Sequence, residues 1–313
     1  MGIGNFFHKI GVGFTRLGEN SIPYTSEAKR YGNWGEDEFV YYIKAHLPNC
    51  QIKRNVVIHT LDGNAEIDCL ILYNNKIFAI EIKRWKGEIV ERGGQFVQHK
   101  LDRFTSEWHV KEHKSPFRQL NRAIYLLRKQ IPEKAWVNSI VYFEEVDKLS
   151  INSEGVWFEN IYSLTDYIRN DGKASYNNNA QMFFDKCIPA DYLYSNSWNK
   201  SLHCVICDDF LIFRTSSKIL KRNDIATIRI NHHWSYDDLI IKTKQGMCYN
   251  FKAENAHIRV IENGYARQYA LCKLDYIELG NGYILNILQE KQKLILCFIE
   301  FVIYKNIKKP LKP

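Results

Sequence analysis

The stretch from Glu66 to Gly87, EIDCLILYNNKIFAIEIKRWKG, constrains the fold more than any other part of the chain. Two runs rich in β-branched and aromatic residues flank Asn74-Asn75. Asparagine is among the few residues that tolerate the positive φ of an abrupt hairpin turn. A turn centred there fixes the register: Tyr73 faces Lys76, Leu72 faces Ile77, and counting outward Asp68 lands opposite Glu81. Strand alternation puts Lys83 on the face of Glu81, with Leu70, Leu72, Ile77 and Ala79. Ile67, Cys69, Ile71, Phe78, Ile80 and Ile82 fill the other face. Both sides therefore need cover, and helices above and below the sheet are expected.

Two carboxylates opposed across a ladder, with Cβ atoms roughly 4.5–5.5 Å apart, repel each other. A divalent cation relieves that repulsion through its preference for oxygen ligands. Protonation of one carboxylate relieves it as well. An exposed salt-bridge patch on a surface hairpin fits the same residue types, and a three-residue loop would slip the register by one and separate the pair.

Residues 1–30 set Phe6, Phe7, Ile10, Val12 and Phe14 among glycines, as either a short helix or an N-terminal arm. A helix is expected from Asn33 to Leu47, with Asn33 as its cap, acidic residues in its first turn and Pro48 at its end. Its apolar stripe is Phe39, Val40, Ile43 and Leu47, and Glu36 lies on that stripe, pointing toward the sheet. Cys50 to Ile58 reads as a first strand, and short strands are expected between Ile89 and Val110. Ser115-Pro116 opens a helix over Phe117 to Gln130, with Leu120, Ile124 and Leu127 buried and Gln119 beside them. Ser139 to Phe143 is a buried strand and Leu164 to Arg169 a closing helix. The order describes an α/β domain over 31–170, a central mixed sheet flanked by helices. Residues 171–180 read as a linker. Beyond it, Phe210–Phe213, Ile225–Ile230, Leu239–Thr243 and Met247–Phe251 look like strands and Ala256–Leu274 looks helical. These make 181–313 a separate β-rich domain, a small barrel or similar.

A chain of 313 residues has room for two domains, and 45% hydrophobic with 25% charged residues is ordinary globular composition. The net charge of +8 favours a polyanionic partner. Eight cysteines without framework spacing, and no signal peptide, point to reduced thiols in the cytoplasm. The longest apolar run, Leu294–Tyr304, is too short for a bilayer and contains Glu300, so no membrane embedding is expected. Walker, Rossmann and serine-elbow signatures are missing from the sequence. Cys204-x-x-Cys207 beside His203 is half of a zinc motif, or a pair of core thiols. His109 and His113 read as surface residues. Lys218, Lys221, Arg222 and Arg229, with Trp234 and Tyr236, suit either a phosphate-tracking face or solvent.

Taken together, Glu36, Asp68, Glu81, Lys83 and Gln119 converge on one apolar sheet face. The chain here resembles the nuclease-related domain family, NERD, within the PD-(D/E)xK nuclease superfamily, over roughly residues 31–170. The matching pieces are Gly32-x-x-Gly35-Glu36, Glu66-Ile67-Asp68, Glu81-Ile82-Lys83 with Trp85 and Gly87, and Pro116-x-x-Gln119. Related RecB-like nucleases carry a tyrosine four residues after the glutamine, where this chain has Ala123. The resemblance implies metal-dependent phosphodiester hydrolysis, of DNA rather than RNA, in DNA processing or antiviral defence. It implies Mg²⁺ or Mn²⁺ held by Asp68 and Glu81, with Glu36 as a further ligand. Lys83 would orient the attacking water or neutralise transition-state charge. The C-terminal domain would then recruit substrate, a protein partner or a second copy of the chain. The rival expectation is an inactive or gated nuclease fold that binds DNA or a protein.

Overall fold

The computed structural model describes residues 3–21, 23, 27–102, 105–170, 177–195, 200–207, 212–215, 217–262 and 264–280. The chain divides into two compact units, Met1–Thr25 with Ala190–Pro313, and Ser26–Pro189. Its first helix, α1 (Ile3–Leu17), belongs to the former.

The Ser26–Pro189 unit runs α2 (Glu27–His46), β1 (Gln51–Thr60), β2 (Gly63–Tyr73), β3 (Lys76–Lys83), β4 (Gly87–Arg92), β5 (Gln95–Leu101) and β6 (Trp108–His113). It continues with α3 (Pro116–Gln130), β7 (Val137–Phe143), β8 (Val146–Ser150), β9 (Val156–Phe158), α4 (Ile161–Asn170), α5 (Ala180–Lys186) and β10 (Ile188–Pro189). The central sheet has the order β10-β1-β2-β3-β7-β9. It is mixed: β1, β2 and β3 pair antiparallel, whereas β7 runs parallel to β3 and β9.

Helices cover both faces. Leu70, Leu72, Ile77 and Ala79 pack against Leu120, Ile124 and Leu127 of α3 and Phe183 of α5. Cys69, Ile71, Phe78, Ile80 and Ile82 pack against Phe39, Val40 and Ile43 of α2 and Leu164 and Ile168 of α4. Ile67 departs from the expected alternation and joins the α3 side. Its neighbour across the ladder is Val56, which follows Asn55, a residue at φ 47°. A left-handed residue interrupts the pleat, so Val56 and Ile67 turn together to the α3 face.

The first helix of this unit starts earlier than the sequence suggests. It runs through Gly32, Asn33 and Gly35, so Asn33 is interior to the helix rather than at its start, and the acidic residues 36–38 lie beyond the first turn. Glu27, Ala28, Lys29 and Arg30 are strong helix formers, and their propensity carries the helix across two glycines costing about 1 kcal/mol each. Ser115 caps α3, its side chain accepting from the Arg118 N–H, with Pro116 opening the helix. At the sheet edge Lys53 is buried, and its ammonium donates to the carbonyls of Phe184, Asp185 and Cys187 at 2.7, 2.9 and 2.8 Å. A cation at the carbonyl end of α5 is favoured by the helix dipole and satisfies the orphan acceptors.

A second sheet, β6-β5-β4-β8, grows out of the chain after β3. Ile89 and Phe96 anchor it to Val141 and Phe143 of β7, with Trp85 and Phe117 packed alongside.

In the Met1–Thr25 with Ala190–Pro313 unit, the strands are β11 (Asp191–Ser195), β12 (Lys200–Ile206), β13 (Phe213–Arg214), β14 (Ile219–Leu220) and β15 (Ile225–His232). They are followed by β16 (Asp237–Thr243), β17 (Cys248–Ala253), β18 (His257–Glu262), β19 (Tyr265–Ala270) and β20 (Tyr276–Glu278). Eight of these form a curled antiparallel sheet, β17-β16-β15-β20-β11-β12-β18-β19. The segment expected to be helical, 256–274, is instead the β18–β19 hairpin, with Gly264 at φ 80° in its turn, and a short 3-10 turn. His-Ile-Arg-Val-Ile-Glu is an alternating, β-branched run, and the intervening glycine supplies the turn. Arg222, read above as a surface cation, is buried and donates to both oxygens of buried Asp191 at 2.6 and 2.7 Å. Helix α1 is seated here: the Trp234 indole lies against Gly13, and Arg16 bonds Asp237 and the carbonyl of His233. Tyr236 stacks on His233 and lies beneath Lys252.

Most of the linker segment (171–176), part of Phe210–Phe213 and the apolar run Leu294–Tyr304 lie outside the described residues. Among the described residues, no helix is long and apolar enough to cross a membrane.

Candidate active site

The β2–β3 hairpin turns at Asn74 and Asn75, with φ of 47° and 59°, and keeps the register from Tyr73↔Lys76 to Cys69↔Ile80. The ladder closes there, one pair short of Asp68 and Glu81. The Asp68 side chain takes over, its Oδ2 accepting the Ile82 N–H at 2.8 Å. On its other edge β3 is locked by β7, with Glu81 beside Val141 and Lys83 beside Phe143. An interior strand gives Glu81 no route to solvent, and its exposure is 0%.

One oxygen of Glu81 is heavily used. Oε1 accepts from Lys83 Nζ at 2.5 Å and from Gln119 Nε2 at 2.6 Å. Its Oε2 is buried and, among the described residues, lacks a hydrogen-bond partner. Glu36 reaches the same region from α2. Its Oε2 accepts from Asn55 Nδ2 at 3.0 Å, and the same amide donates to Glu66 Oε1 at 2.8 Å. Glu36, Asp68, Glu81, Lys83 and Gln119 thus meet around the β2–β3 pair in the middle of the central sheet: Lys83 and Gln119 bond Glu81, and the charge of Asp68 acts on both glutamates.

The electrostatics are those of a crowded anionic site. Burial, then the charge of Asp68, pushes Glu81 up from 4.5 to about 8, against the pull of Lys83. Burial and Asp68 likewise raise Glu36 to about 8, which the Asn55 hydrogen bond opposes. Burial pulls the Lys83 ammonium down, but Glu81, Asp68 and Glu36 outweigh it and leave its pKa raised. Lysine is therefore the charged partner, and the two glutamates hold protons that a cation would displace.

Residues 31–144 match the family described as NERD, the nuclease-related domain. The match takes in most of α2, β1, the β2–β3 hairpin, three strands of the second sheet (β4, β5 and β6), α3 and β7. No curated protein and no solved structure matches the chain.

Two supports of the site, Asn55 and Arg84, were not singled out from sequence. Asn55 is buried and left-handed, and it ties Glu36 to Glu66; its only signal is an asparagine, a residue disfavoured in strands, inside the run CQIKRNVVI. Glu66 is its second partner. Arg84 has a side chain 6% exposed and pairs with Glu38 of α2 and with Glu144 and Glu145 after β7. Gly35 is what lets that guanidinium pass: a Cβ there would lie 2.9 Å from Arg84 Cδ and 3.0 Å from Glu144 Oε2. Gly87, at φ 97°, is equally constrained, since a Cβ would meet the His99 carbonyl oxygen at 2.2 Å. His113, expected at the surface, is half-buried and stacked on Trp85 at 4.2 Å. His109 is exposed.

Among the described residues, no three His, Cys, Asp or Glu side chains converge in a ready-made metal cage. Cys204 lies in the apolar core of its unit, where burial drives its thiol pKa well up. The donor set at this site suits a hard cation: the charge of Asp68 adds to burial in raising both Glu36 and Glu81, and one buried oxygen of Glu81 has no donor among the described residues.

Proposed function

We propose that the Ser26–Pro189 unit is a PD-(D/E)xK-type nuclease that hydrolyses phosphodiester bonds with Mg²⁺ or Mn²⁺. DNA is the favoured substrate, in defence against foreign DNA or in DNA processing. The observation that carries this reading is Glu81. A carboxylate with no exposure, one oxygen held by Lys83 and Gln119 and the other without a partner among the described residues, is costly unless something completes it.

Asp68 and Glu81 would hold the cation, with Glu36 as a further ligand. A cation bound there supplies Lewis acidity toward the phosphate and lowers the pKa of a bound water. The chain's own groups do the rest. Gln119 and Lys83 fix the rotamer of Glu81 from opposite partners on the same oxygen. Lys83 keeps its positive charge where negative charge builds on the phosphorus oxygens, and its remaining protons are available to orient water. Asn55 holds Glu36 in place. Asp68, by accepting the Ile82 N–H, spans the point at which the hairpin ladder stops.

A second reading is a nuclease fold retained for binding DNA or a protein, inactive or gated. It is favoured by the Asp68 oxygen already committed to Ile82 and by the missing three-residue cage among the described residues. Cleavage of plasmid and linear DNA with Mg²⁺ or Mn²⁺ separates the two. Asp68→Ala and Lys83→Ala should each abolish cutting by the full-length chain. Binding of DNA without cleavage under every metal condition would leave the second reading standing.

A further inference from the structure

The second sheet contains a ribbon, β5 paired with β6, in the register Phe96↔His113, Gln98↔Lys111, Lys100↔His109 and Leu101↔Trp108. Alternation divides it into two faces. One carries Leu101, Trp108, His99 and Val110, next to Glu88 and Lys148 of β4 and β8. The other begins with buried Phe96, passes half-buried Gln98 and His113, and ends in Lys111, Lys100 and His109, all exposed.

That second face is continuous with the active site. The His113 ring stacks on Trp85, two residues beyond Lys83, and its Nε2 lies 2.9 Å from Gln98 Oε1. Gln98 Nε2 donates to the Lys86 carbonyl at 2.7 Å, tying the ribbon to the chain leaving β3. His113 also feels both lysines: burial, then the charges of Lys111 and Lys83, lowers its pKa. Lys83 and Lys111, with the His113 ring between them, thus form one series leading from the carboxylates onto the ribbon. Glu112 falls on the opposite face, and Asp102, 3.9 Å from His109, stands at the far end.

We propose that the β5–β6 ribbon is a substrate-binding arm whose face of Lys100, His109 and Lys111 takes the phosphate backbone of a nucleic-acid duplex flanking the scissile bond. The inference rests on the nuclease reading for the identity of its ligand. A two-stranded ribbon is of a size that duplex grooves admit, and exposed lysines on one face supply sequence-independent phosphate contacts. Lysine on an edge strand also discourages sheet-to-sheet pairing. That role would leave salt-dependent DNA binding untouched, so the two explanations part in the test.

The test uses the full-length chain and a fluorescein-labelled 20-base-pair duplex, in EDTA to prevent cleavage, with anisotropy titrations between 50 and 200 mM salt. The double variant Lys100→Gln/Lys111→Gln should bind more weakly at every salt concentration. Its slope of log affinity against log salt should be shallower by about two, roughly one for each lysine–phosphate pair removed. Lys148→Gln, which removes one lysine charge from the other face of the sheet, should leave the slope at the wild-type value. An unchanged slope in the double variant, an equal loss in Lys148→Gln, or no duplex binding by wild type would overturn the arm. A second readout is Mn²⁺-dependent hydrolysis of bis(4-nitrophenyl) phosphate, a diester too small to reach the ribbon. The double variant should match wild type, and a parallel fall in this rate would overturn the arm by showing that the lysines act through the active site. Duplex binding with the expected slopes but no hydrolysis of any diester would sink the nuclease reading and keep the arm.

Discussion

Replacing Glu81 by glutamine should stabilise the metal-free protein, and increasingly so as pH rises. Below about pH 4.5 this carboxyl is protonated in the folded and unfolded chain alike. Between 4.5 and about 8 the unfolded chain releases the proton while the folded chain retains it. Folding then takes up a proton, so stability falls with rising pH across that window, and above it the native state carries the full cost of a buried charge. At about 1.4 kcal/mol per pH unit, the stretch from pH 5.5 to 8 corresponds to roughly 3 kcal/mol. Glu81→Gln keeps an acceptor for Lys83 and Gln119 and has no proton to lose. Urea unfolding of wild type and variant at pH 5.5, 6.5, 7.5 and 8, in EDTA and followed by tryptophan fluorescence, should give stability curves that diverge by about that amount. Millimolar Mn²⁺ at pH 8 should restore the wild type and leave the variant unmoved. Parallel curves over the whole range would refute the buried, strained carboxylate and with it the main support for a cation site.

Metal loading should release protons. At pH 7 Glu36 and Glu81 are both held protonated in part, so calorimetric titration with Mn²⁺ in two buffers of different ionisation enthalpy should differ, and identical heats would contradict the raised pKa values. Gly35→Ala should destabilise the protein by about 1–3 kcal/mol in urea melts, because its methyl would drive into Arg84 and Glu144. Adding Arg84→Ala to it should give less than the sum of the two losses. Arg222→Ala should cost about 3–5 kcal/mol by leaving Asp191 charged and buried, and a loss under 1 kcal/mol would show that the Ile206 and Gly280 N–H groups suffice for it.

The parts of this fold legible in sequence are those where local chemistry and tertiary packing agree. Asn74-Asn75 announced its turn because left-handed φ is scarce, and Ser115-Pro116 announced α3 because capping and a missing N–H coincide there. Glu36, Asp68, Glu81, Lys83 and Gln119 followed from alternation, helix periodicity and the family resemblance. What failed was local chemistry overruled by distant partners. Gly32, Asn33 and Gly35 look like a helix boundary, but Gly35 is small for the sake of Arg84, some fifty residues away. Ile67 changed faces because Asn55, on another strand, breaks the pleat. Arg222 reads as one more surface cation until Asp191 is seen beside it. Pairings of this kind carry no periodicity, so no window of sequence contains them.

The grouping of Met1–Thr25 with Ala190–Pro313 has a consequence for biogenesis. Ser26–Pro189 is nested, in sequence, inside the other unit. During synthesis α1 emerges before the nested unit, yet Asp237 and Trp234, which seat Arg16 and Gly13, follow more than two hundred residues later. At about 5–20 residues per second, that is a wait of roughly 10–45 s, far longer than a domain needs to collapse. The nuclease-related unit can therefore complete its sheet while α1 is still without a partner. Removal of α1 would then spare the carboxylate site and injure the unit whose strands are made after it.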